Sequence, residues 1–487
     1  MSFWVYMFPV FGSLQVILLA VLCVIAALVL CGRPRNLPPG PRGLPIVGNA
    51  ISLLKDPPAL VYTDWAKKYG DVFTAYFGPT RTVVLNGYAT IHEALVKNAE
   101  DFSSRPTAQA SFTPDGKTLG IAQEVYGPKL KEHRKFAVMN LRDFGLGKKS
   151  LEGKILEESR ALCDEISKID GRPFCISQMM QNAVSNVICS VLFGRRYEYD
   201  DMAFKSLLQS MRGILTRDFA VVLAQFFSPV KVLPGVRKPY QQLRKNMKKL
   251  EEHIKEKIKE HEETLDSDNI RDFIDAFILE SKKRQGHGNS IFTEQEHTVI
   301  VYQMFLAGTD TTTNTLHWAL LYMILHPDIQ EKVQQEIDSV LGPNQKPEMV
   351  HRSQMPYTEA TLAEVTRISP VTPITIPHGT SNDTVFRGYN IPKDTVVTVN
   401  IWSVHHDPKL WPEPDKFDPT RFIDDEGKYV KKIEIIPFSI GRRICPGEQL
   451  ARMELFLFFT SLLQRFTFKL PEGAPPPFQQ RDARTNI

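Results

Sequence analysis

The chain has 487 residues, of which 43% are hydrophobic, and its formal net charge at pH 7 is +4. This length allows a large buried core, and the nearly neutral charge argues against a nucleic-acid-binding surface. The six cysteines show no paired spacing. We therefore expect neither a disulfide framework nor a zinc cluster, and we favour a reducing compartment.

Residues 1–32 predict an N-terminal transmembrane anchor. Residues 14–31 are apolar apart from Gln15. As a helix they would span about 27 Å, close to the thickness of a bilayer core. Arg33 and Arg35 follow, which favours the cytosolic side for the rest of the chain. A cleaved signal peptide is the alternative, but no basic region precedes the apolar stretch.

Residues 33–48 read as a basic, proline-rich hinge, because closely spaced prolines cannot continue a helix. Residues 49–487 contain neither an internal repeat nor a long linker, so we expect one large body. Within it, residues 72–85 predict two strands around a Gly-Pro turn, and residues 395–402 are rich in β-branched side chains.

Elsewhere in the body, apolar residues recur with helical spacing. Residues 328–341 predict one such helix. Another is predicted by five apolar residues on one face, which are Leu243, Met247, Leu250, Ile254 and Ile258. The fold class we expect is therefore mainly α with smaller β-sheets (α+β).

The longest predicted helix covers residues 293–325. Thr293 and Glu296 have the spacing of an N-terminal capping box, and His326-Pro327 ends the helical pattern. At about 50 Å it would cross the whole body. Polar residues within it argue against a second membrane span.

The middle of this helix reads AGTDTTTNT, residues 307–315. Small side chains such as Ala307 would let a flat cofactor approach closely. The adjacent acid and alcohol, Asp310 and Thr311, suggest a proton relay. A run of threonines that packs against other helices is an equally open interpretation, because mid-helix threonines often bond the carbonyl four residues earlier.

Cys445 lies in the glycine- and arginine-rich sequence FSIGRRICPG, and the helix-forming sequence EQLARMELFLFF follows. A thiolate needs stabilisation at neutral pH, which loop N–H groups, the positive end of a helix or a metal can supply. Gly441 and Gly447 would permit tight turns, and Arg443 could bind a carboxylate. A lone cysteine is usually inert, but its spacing with Phe438 and these residues favours a haem-iron ligand.

These residues resemble the haem-binding loop of the cytochrome P-450 superfamily. The resemblance runs from near Leu37 almost to the end of the chain, and it is strongest to the microsomal family-2 members of animals. It implies the cytochrome P-450 fold, with one large haem-binding body behind the anchor. It also implies haem b as cofactor, with Cys445 as the axial metal ligand.

The family's other site residues carry over by position. Partners for the haem carboxylates would be Arg134, His378 and Arg443, with Arg105 as a weaker match. Asp310 and Thr311 would assist oxygen activation beside Ala307. Phe438, Gly441 and Gly447 complete the predicted cofactor-binding loop.

The resemblance also assigns a structural role to a weak local signal. Glu364 and Arg367 are one helical turn apart, and most such pairs are surface ion pairs. The family joins the equivalent residues with the equivalent of Arg421 in a buried ionic triad behind the haem loop. We therefore expect these three residues to support the fold.

The implied electron donor is NADPH–cytochrome P-450 reductase, with cytochrome b5 as a further candidate. This chain lacks a dinucleotide-binding fingerprint, so electrons must come from a partner. An acidic partner would suit a group of basic residues on two elements near the thiolate, namely Lys131, Arg134, Lys135, Arg442 and Arg443. The resemblance places the chain in the endoplasmic reticulum membrane with its catalytic domain facing the cytosol.

The predicted substrate is a lipophilic small molecule, since the family's pocket positions are mostly apolar here. They include Phe112, Phe219, Phe226, Phe227, Phe305, Val371 and Ile374. The stretches AGTDTTTN and YTEAT resemble a long-chain fatty-acid hydroxylase of family 2. This makes fatty acids or eicosanoids the first candidates, followed by steroids and xenobiotics.

Two departures from the family pattern leave other functions open. Leu130 stands where the family usually has a tryptophan that donates to a haem carboxylate, and leucine cannot donate. The chain ends in the polar sequence FQQRDARTNI, where the family continues into an apolar hairpin, so that hairpin is expected to be shortened. The alternatives are an inactive or haem-binding-only isoform, and a haem-thiolate isomerase that needs no reductase.

Overall fold

The computed structural model describes most of the predicted body. The described residues are 36–44, 47–54, 56–106, 119–143, 149–215, 221, 224, 228–284, 290–342 and 345–474. The anchor predicted over residues 1–32 and the polar C-terminal sequence of residues 478–487 lie outside them, so both remain predictions. From residue 36 onward, no described helix is both long enough and apolar enough to cross a membrane.

Helices make up most of the described chain, which confirms the mainly α class with smaller sheets. They are α1 (Pro58–Tyr69), α2 (Tyr88–His92), α3 (Ala99–Phe102), α4 (Pro128–Asp143), α5 (Lys149–Ser167), α6 (Ser177–Leu192), α7 (Met202–Leu215), α8 (Pro234–Thr264), α9 (Phe273–Arg284), α10 (Glu294–Leu325), α11 (Pro327–Leu341), α12 (Pro356–Ile368), α13 (Trp402–His405) and α14 (Glu448–Arg465).

Two small sheets lie beside the helices. Strands β1 (Val72–Phe77) and β2 (Thr80–Leu85) form the predicted antiparallel hairpin. The first sheet has the order β1-β2-β6-β3, and the second pairs β4 with β5. The remaining strands are β3 (His378–Gly379), β4 (Thr384–Phe386), β5 (Tyr389–Ile391) and β6 (Val396–Val399). Strand β6 confirms the prediction over residues 395–402.

Helix α10 confirms the long helix predicted over residues 293–325. The Thr293 hydroxyl accepts the Glu296 N–H at 3.2 Å, and the helix ends at Leu325. Only this half of the predicted capping box forms in the described structure, because the Glu296 carboxylate accepts the Gly120 N–H instead. The start of α10 is therefore tied to a loop far away in the sequence.

Helix α8 confirms the second predicted apolar face. The five residues predicted to share a face are all buried, and they are Leu243, Met247, Leu250, Ile254 and Ile258. A 3-10 turn, Ser228–Val232, precedes α8. Val232 and Leu233 are exposed at this junction.

The largest hydrophobic core lies among α5, α6, α8, α10 and α14. Helix α10 contacts α6, α8 and α14, so its middle residues are surrounded by other helices. Helix α14 also packs against α5 and α11. The loop that carries Cys445 leads directly into α14. One end of this loop is therefore fixed to a helix of the core.

Candidate haem site

The loop before α14 closes on itself around Cys445. The Cys445 N–H donates to the Phe438 carbonyl at 3.0 Å. Burial raises the pKa of the Cys445 thiol, while the backbone N–H groups of Gly447 and Glu448 lower it. These donors come from the first turn of α14 and would stabilise a thiolate, and bound iron would do so further.

The two glycines of the Cys445 loop differ in whether the backbone requires glycine at their position. Gly441 has φ +79°, and a Cβ there would lie 2.2 Å from the Leu95 carbonyl oxygen, so only glycine fits. Gly447 has φ −92°, which any residue can adopt. A Cβ at Gly447 would meet the Cys445 Sγ at 3.9 Å, which is ordinary contact. The tight turn expected at Gly447 therefore does not require glycine.

Arg443 is buried, although its neighbours on either side are exposed. Its guanidinium donates to the Ser103 carbonyl at 2.6 Å, to the Ile121 carbonyl at 3.2 Å, and to the Glu124 carbonyl. Burial, followed by the positive charge of Arg134, lowers the pKa of Arg443 to about 9.

Arg105 is also buried and is likewise bound by backbone carbonyls. Its Nε donates to the Ala122 carbonyl at 2.8 Å, and its Nη1 donates to the carbonyls of Ile376 and Pro377. Burial and the charge of Arg443 lower the pKa of Arg105 well below its ordinary value. The two arginines thus share one cationic region.

His378 and Arg134 lie in the same region. The Phe102 carbonyl is 2.8 Å from His378 Nδ1, so this nitrogen carries the hydrogen. Burial and the charge of Arg105 lower the pKa of His378 well below its ordinary value. Arg134 donates to the Ile444 carbonyl, next to the cysteine, and burial lowers its pKa.

These cations fit the haem that the loop implies. Among the described residues, no ion pair joins Arg105, Arg134 or Arg443 to a carboxylate. The negative charge of Glu124 acts on Arg443, but this carboxylate already pairs with Lys129. The two haem carboxylates would supply a further counter-charge to the buried cations. The donor set therefore matches the group by charge as well as by chemistry.

The middle of α10 contributes a partly accessible face. Ala307 is exposed, whereas Phe305 and Thr309, two residues away on either side, are buried. The Thr311 hydroxyl donates to the Ala307 carbonyl at 2.8 Å, and the Asp310 carboxylate accepts from the Asn314 amide at 3.0 Å. Gly308 has another task, because a Cβ there would approach Ile188 of α6 to 3.0 Å.

The packing interpretation applies to the other threonines of this segment. Thr313 and Thr315 are buried, and each bonds the carbonyl four residues earlier. Thr312 instead donates to Glu454 of α14 at 3.1 Å. Thr311 makes the same bond in a less buried position, and the proton relay of Asp310 and Thr311 stays a prediction.

Glu454 is a buried acid that the sequence analysis missed. It is 1% exposed, and its second carboxyl oxygen has no hydrogen-bond partner among the described residues. Burial raises the pKa of Glu454 to about 8, against a smaller lowering effect of the Thr312 hydroxyl. The available signal was one acid inside the apolar sequence MELFLFF.

The structure brings Glu364, Arg367 and Arg421 together. Arg367 forms a bidentate pair with Glu364 at 2.6 and 2.7 Å, and both side chains are fully buried. Arg421 Nε lies 3.4 Å from the same carboxylate, which also accepts the Asp418 N–H at 2.9 Å. The local spacing alone suggested a surface pair, and burial makes it a core ion pair.

The predicted basic surface is smaller than expected. Arg443 is buried, so it does not belong to that surface. Arg442 pairs with Glu100 and bonds the Tyr126 hydroxyl, which reduces its free charge. Lys131 and Lys135 of α4 are exposed and remain at the surface.

The remaining site predictions divide in two. Leu130 is buried, at 1% exposure, and Phe305 is fully buried in the largest core. Val371 and Ile374 are half-buried. The other predicted pocket residues lie outside the described residues, and these are Phe112, Phe219, Phe226 and Phe227.

Comparison with known proteins identifies the family. The cytochrome P450 family model matches residues 38–485. Cytochrome P450 2U1 of Homo sapiens is 42% identical over 492 residues, covering 93% of this chain and 90% of that protein. Cytochrome P450 2J1 of Oryctolagus cuniculus is 42% identical over 446 residues, covering 90% and 87%.

A third relative, cytochrome P450 2C20 of Macaca fascicularis, is 41% identical over 438 residues and covers 89% of this chain and 88% of its own length. These matches confirm the predicted family-2 resemblance and the haem b cofactor. The chain belongs to the cytochrome P450 family and is a monooxygenase of family 2. Proteins of this family bind haem b through a cysteine thiolate.

Proposed function

We propose that this chain is a membrane-bound haem-thiolate monooxygenase with Cys445 as the iron ligand. It inserts one atom of O₂ into a lipophilic substrate. The other atom is reduced to water, which consumes two electrons and two protons. Bound haem supplies the oxygen chemistry. The observation that carries the proposal is the partly buried Cys445 beside buried cations that lack a carboxylate partner.

The haem carboxylates are assigned to Arg105, Arg134, His378 and Arg443. Two of them, Arg105 and Arg443, are each held by three backbone carbonyls, which fixes their guanidinium planes. A fixed guanidinium recognises a carboxylate with little loss of side-chain entropy. Leu130 is buried and cannot donate a hydrogen bond, so the haem carboxylates would be bound by the cations alone.

Proton delivery is assigned to Asp310 and Thr311. The Thr311 hydroxyl donates to the Ala307 carbonyl, so its oxygen can accept a further hydrogen bond. Asp310 lies next to it and is partly accessible. An acid and an alcohol in sequence on an accessible helix face suit the transfer of a proton from solvent.

Electrons are assigned to an external reductase. Family-2 proteins typically use NADPH–cytochrome P450 reductase and bind lipophilic substrates. The exposed cations Lys131, Lys135 and Arg442 offer a contact for an acidic partner. Cytochrome b5 is the second candidate donor.

Fatty acids or eicosanoids are the proposed substrates, with steroids and xenobiotics next. The proposal rests on the motifs AGTDTTTN and YTEAT and on the half-buried apolar residues Val371 and Ile374. The body of residues 49–487 would face the cytosol from the endoplasmic reticulum membrane. Residues 1–32 would anchor it and residues 33–48 would form the hinge.

Turnover of arachidonic acid by the purified protein with reductase tests this function. We expect a hydroxylated product only when NADPH, O₂ and reductase are all present. A haem-thiolate isomerase would instead convert a lipid hydroperoxide without NADPH or reductase. An inactive isoform would bind haem and give no product in either assay across a panel of fatty acids, steroids and xenobiotics.

A further inference from the structure

Residues 119–124, here called the 119–124 loop, lie between α10 and the buried arginines. Gly120 has φ +77°, and a Cβ there would lie 2.5 Å from the Gln303 side-chain oxygen. Only glycine permits both this backbone conformation and this close approach. The loop is therefore shaped to receive the side chain of Gln303 from α10.

On the α10 side, the amide of Gln303 binds the loop through both of its ends. Its oxygen accepts the N–H groups of Ile121 and Ala122 at 2.8 and 2.9 Å. Its nitrogen donates to the Leu119 carbonyl at 3.0 Å. One side chain thus satisfies three backbone groups that would otherwise need other partners.

On the opposite side, the carbonyls of Ile121 and Ala122 bind the arginines. The Ile121 carbonyl accepts from Arg443 at 3.2 Å, and the Ala122 carbonyl accepts from Arg105 at 2.8 Å. The Ile121 carbonyl and the Ala122 N–H belong to one planar trans peptide, so they point in opposite directions. A single rigid unit therefore joins Gln303 to Arg443.

Two further contacts hold the loop at its ends. The Gly120 N–H donates to the Glu296 carboxylate of α10 at 2.8 Å. Lys129 pairs with Glu124 at 2.7 Å and also with Glu296. Because the Glu124 carbonyl is another partner of Arg443, these contacts reinforce the same geometry.

We propose that Gln303 is a positioning residue for the haem. Through the peptide between Ile121 and Ala122 it fixes the guanidinium group of Arg443, and through the adjoining carbonyl of Ala122 it fixes that of Arg105, toward the haem carboxylates. This links the oxygen-activating helix to the hold on the cofactor without Gln303 touching the haem. The inference rests on the proposed carboxylate-binding role of these arginines.

Haem transfer from Gln303→Met to excess apomyoglobin tests the proposal, with Gln334→Met as the matched control. Gln334 also binds backbone carbonyls, those of Leu463 and Phe466, but at the end of α14 opposite Cys445. We expect Gln303→Met to lose haem about tenfold faster than the control. We also expect faster amide hydrogen exchange at Ile121 and Ala122 in that variant only.

Gln303→Glu distinguishes the role of the side-chain oxygen, which accepts from two N–H groups, from that of the side-chain nitrogen, which donates to Leu119. It keeps an oxygen for the two N–H groups, so we expect haem transfer close to the wild-type rate. Should Gln303→Met fail to accumulate as a haem protein, the shorter Gln303→Asn serves instead, and it too should transfer haem faster than Gln334→Met.

Equal haem transfer from the Gln303 and Gln334 variants would overturn the positioning role. A failure of the proposed function is distinguishable, because the wild-type protein itself would then lack the spectrum of thiolate-bound haem.

Discussion

Two groups of buried arginines differ in how their charge is balanced. Arg367 faces the carboxylate of Glu364 in a fully buried bidentate pair. Arg443 and Arg105 are equally inaccessible, but their described partners are backbone carbonyls. The charge of Arg367 is balanced by a carboxylate of the protein, whereas Arg443 and Arg105 form no ion pair with a described carboxylate.

This difference separates a structural site from a ligand site. A complete ion pair contributes to the fold and gains nothing from a further anion. Burial and the charge of Arg134 lower the pKa of Arg443 to about 9, and an anionic group would stabilise its charge. We propose that the carboxylates of the haem lie beside the second group.

The largest expected effect comes from breaking the complete pair. Glu364→Ala leaves Arg367 buried and unpaired, which should cost about 3–5 kcal/mol in the free energy of unfolding. Glu426→Ala is the control, because Glu426 and Lys428 form an exposed pair. Urea unfolding of the haem-loaded protein measures both, and similar losses in the two variants would refute the structural role.

A smaller effect is expected from the incomplete group. Arg443→Met removes a charged donor to a haem carboxylate, so haem should transfer to apomyoglobin about 30-fold faster. Arg465→Met removes a surface ion pair with Asp164 and should leave the rate unchanged. If both variants transferred haem at one rate, Arg443 would not bind the cofactor.

A third test concerns the buried acid on α14. Burial holds the pKa of Glu454 at about 8, above the ordinary value of 4.5, so the native state keeps a proton that the unfolded state has lost. The free energy of unfolding should therefore fall between pH 6 and pH 8, by up to about 2 kcal/mol.

Glu454→Gln should remove this pH dependence, and Glu448→Gln at the start of the same helix should retain it. Urea midpoints at the two pH values measure the difference. Parallel pH profiles in the wild type and Glu454→Gln would show that the acid is not protonated in the native state.

The smallest effect is expected within α10. Thr311→Ala should retain haem but divert a severalfold larger share of NADPH into hydrogen peroxide, because the hydroxyl that would accept a hydrogen bond in the proposed proton relay is lost. Thr315→Ala removes a matching bond of 2.8 Å to the carbonyl four residues earlier, but in a buried position. Unchanged coupling in Thr311→Ala, measured as product formed per NADPH, would remove Thr311 from the relay.

Local signals predicted the elements that carry the site. The cap at Thr293 and the His326-Pro327 stop located α10 to within a residue at each end, because caps and breakers act on their own neighbours. The apolar face of α8 and the hairpin of β1 and β2 were likewise predictable. In each case the necessary contacts lie within a few residues or follow a regular period.

Long-range polar contacts could not be predicted in this way. Gln303 binds a loop residue 181 positions away, and Glu454 binds a threonine 142 positions away. The only local signal is a single polar residue in an apolar helical stretch, which does not identify a partner. The same reason explains why Arg443 was expected at the surface and lies in the interior.

The reduced carbon monoxide difference spectrum of the purified protein tests the central claim most directly. We predict the Soret band of thiolate-ligated haem in the wild type and in Cys175→Ala, whose cysteine is exposed. Cys445→Ala should lose that band. A thiolate band that persists in Cys445→Ala, or a wild-type protein that never shows it, would contradict the assignment of Cys445 as the iron ligand.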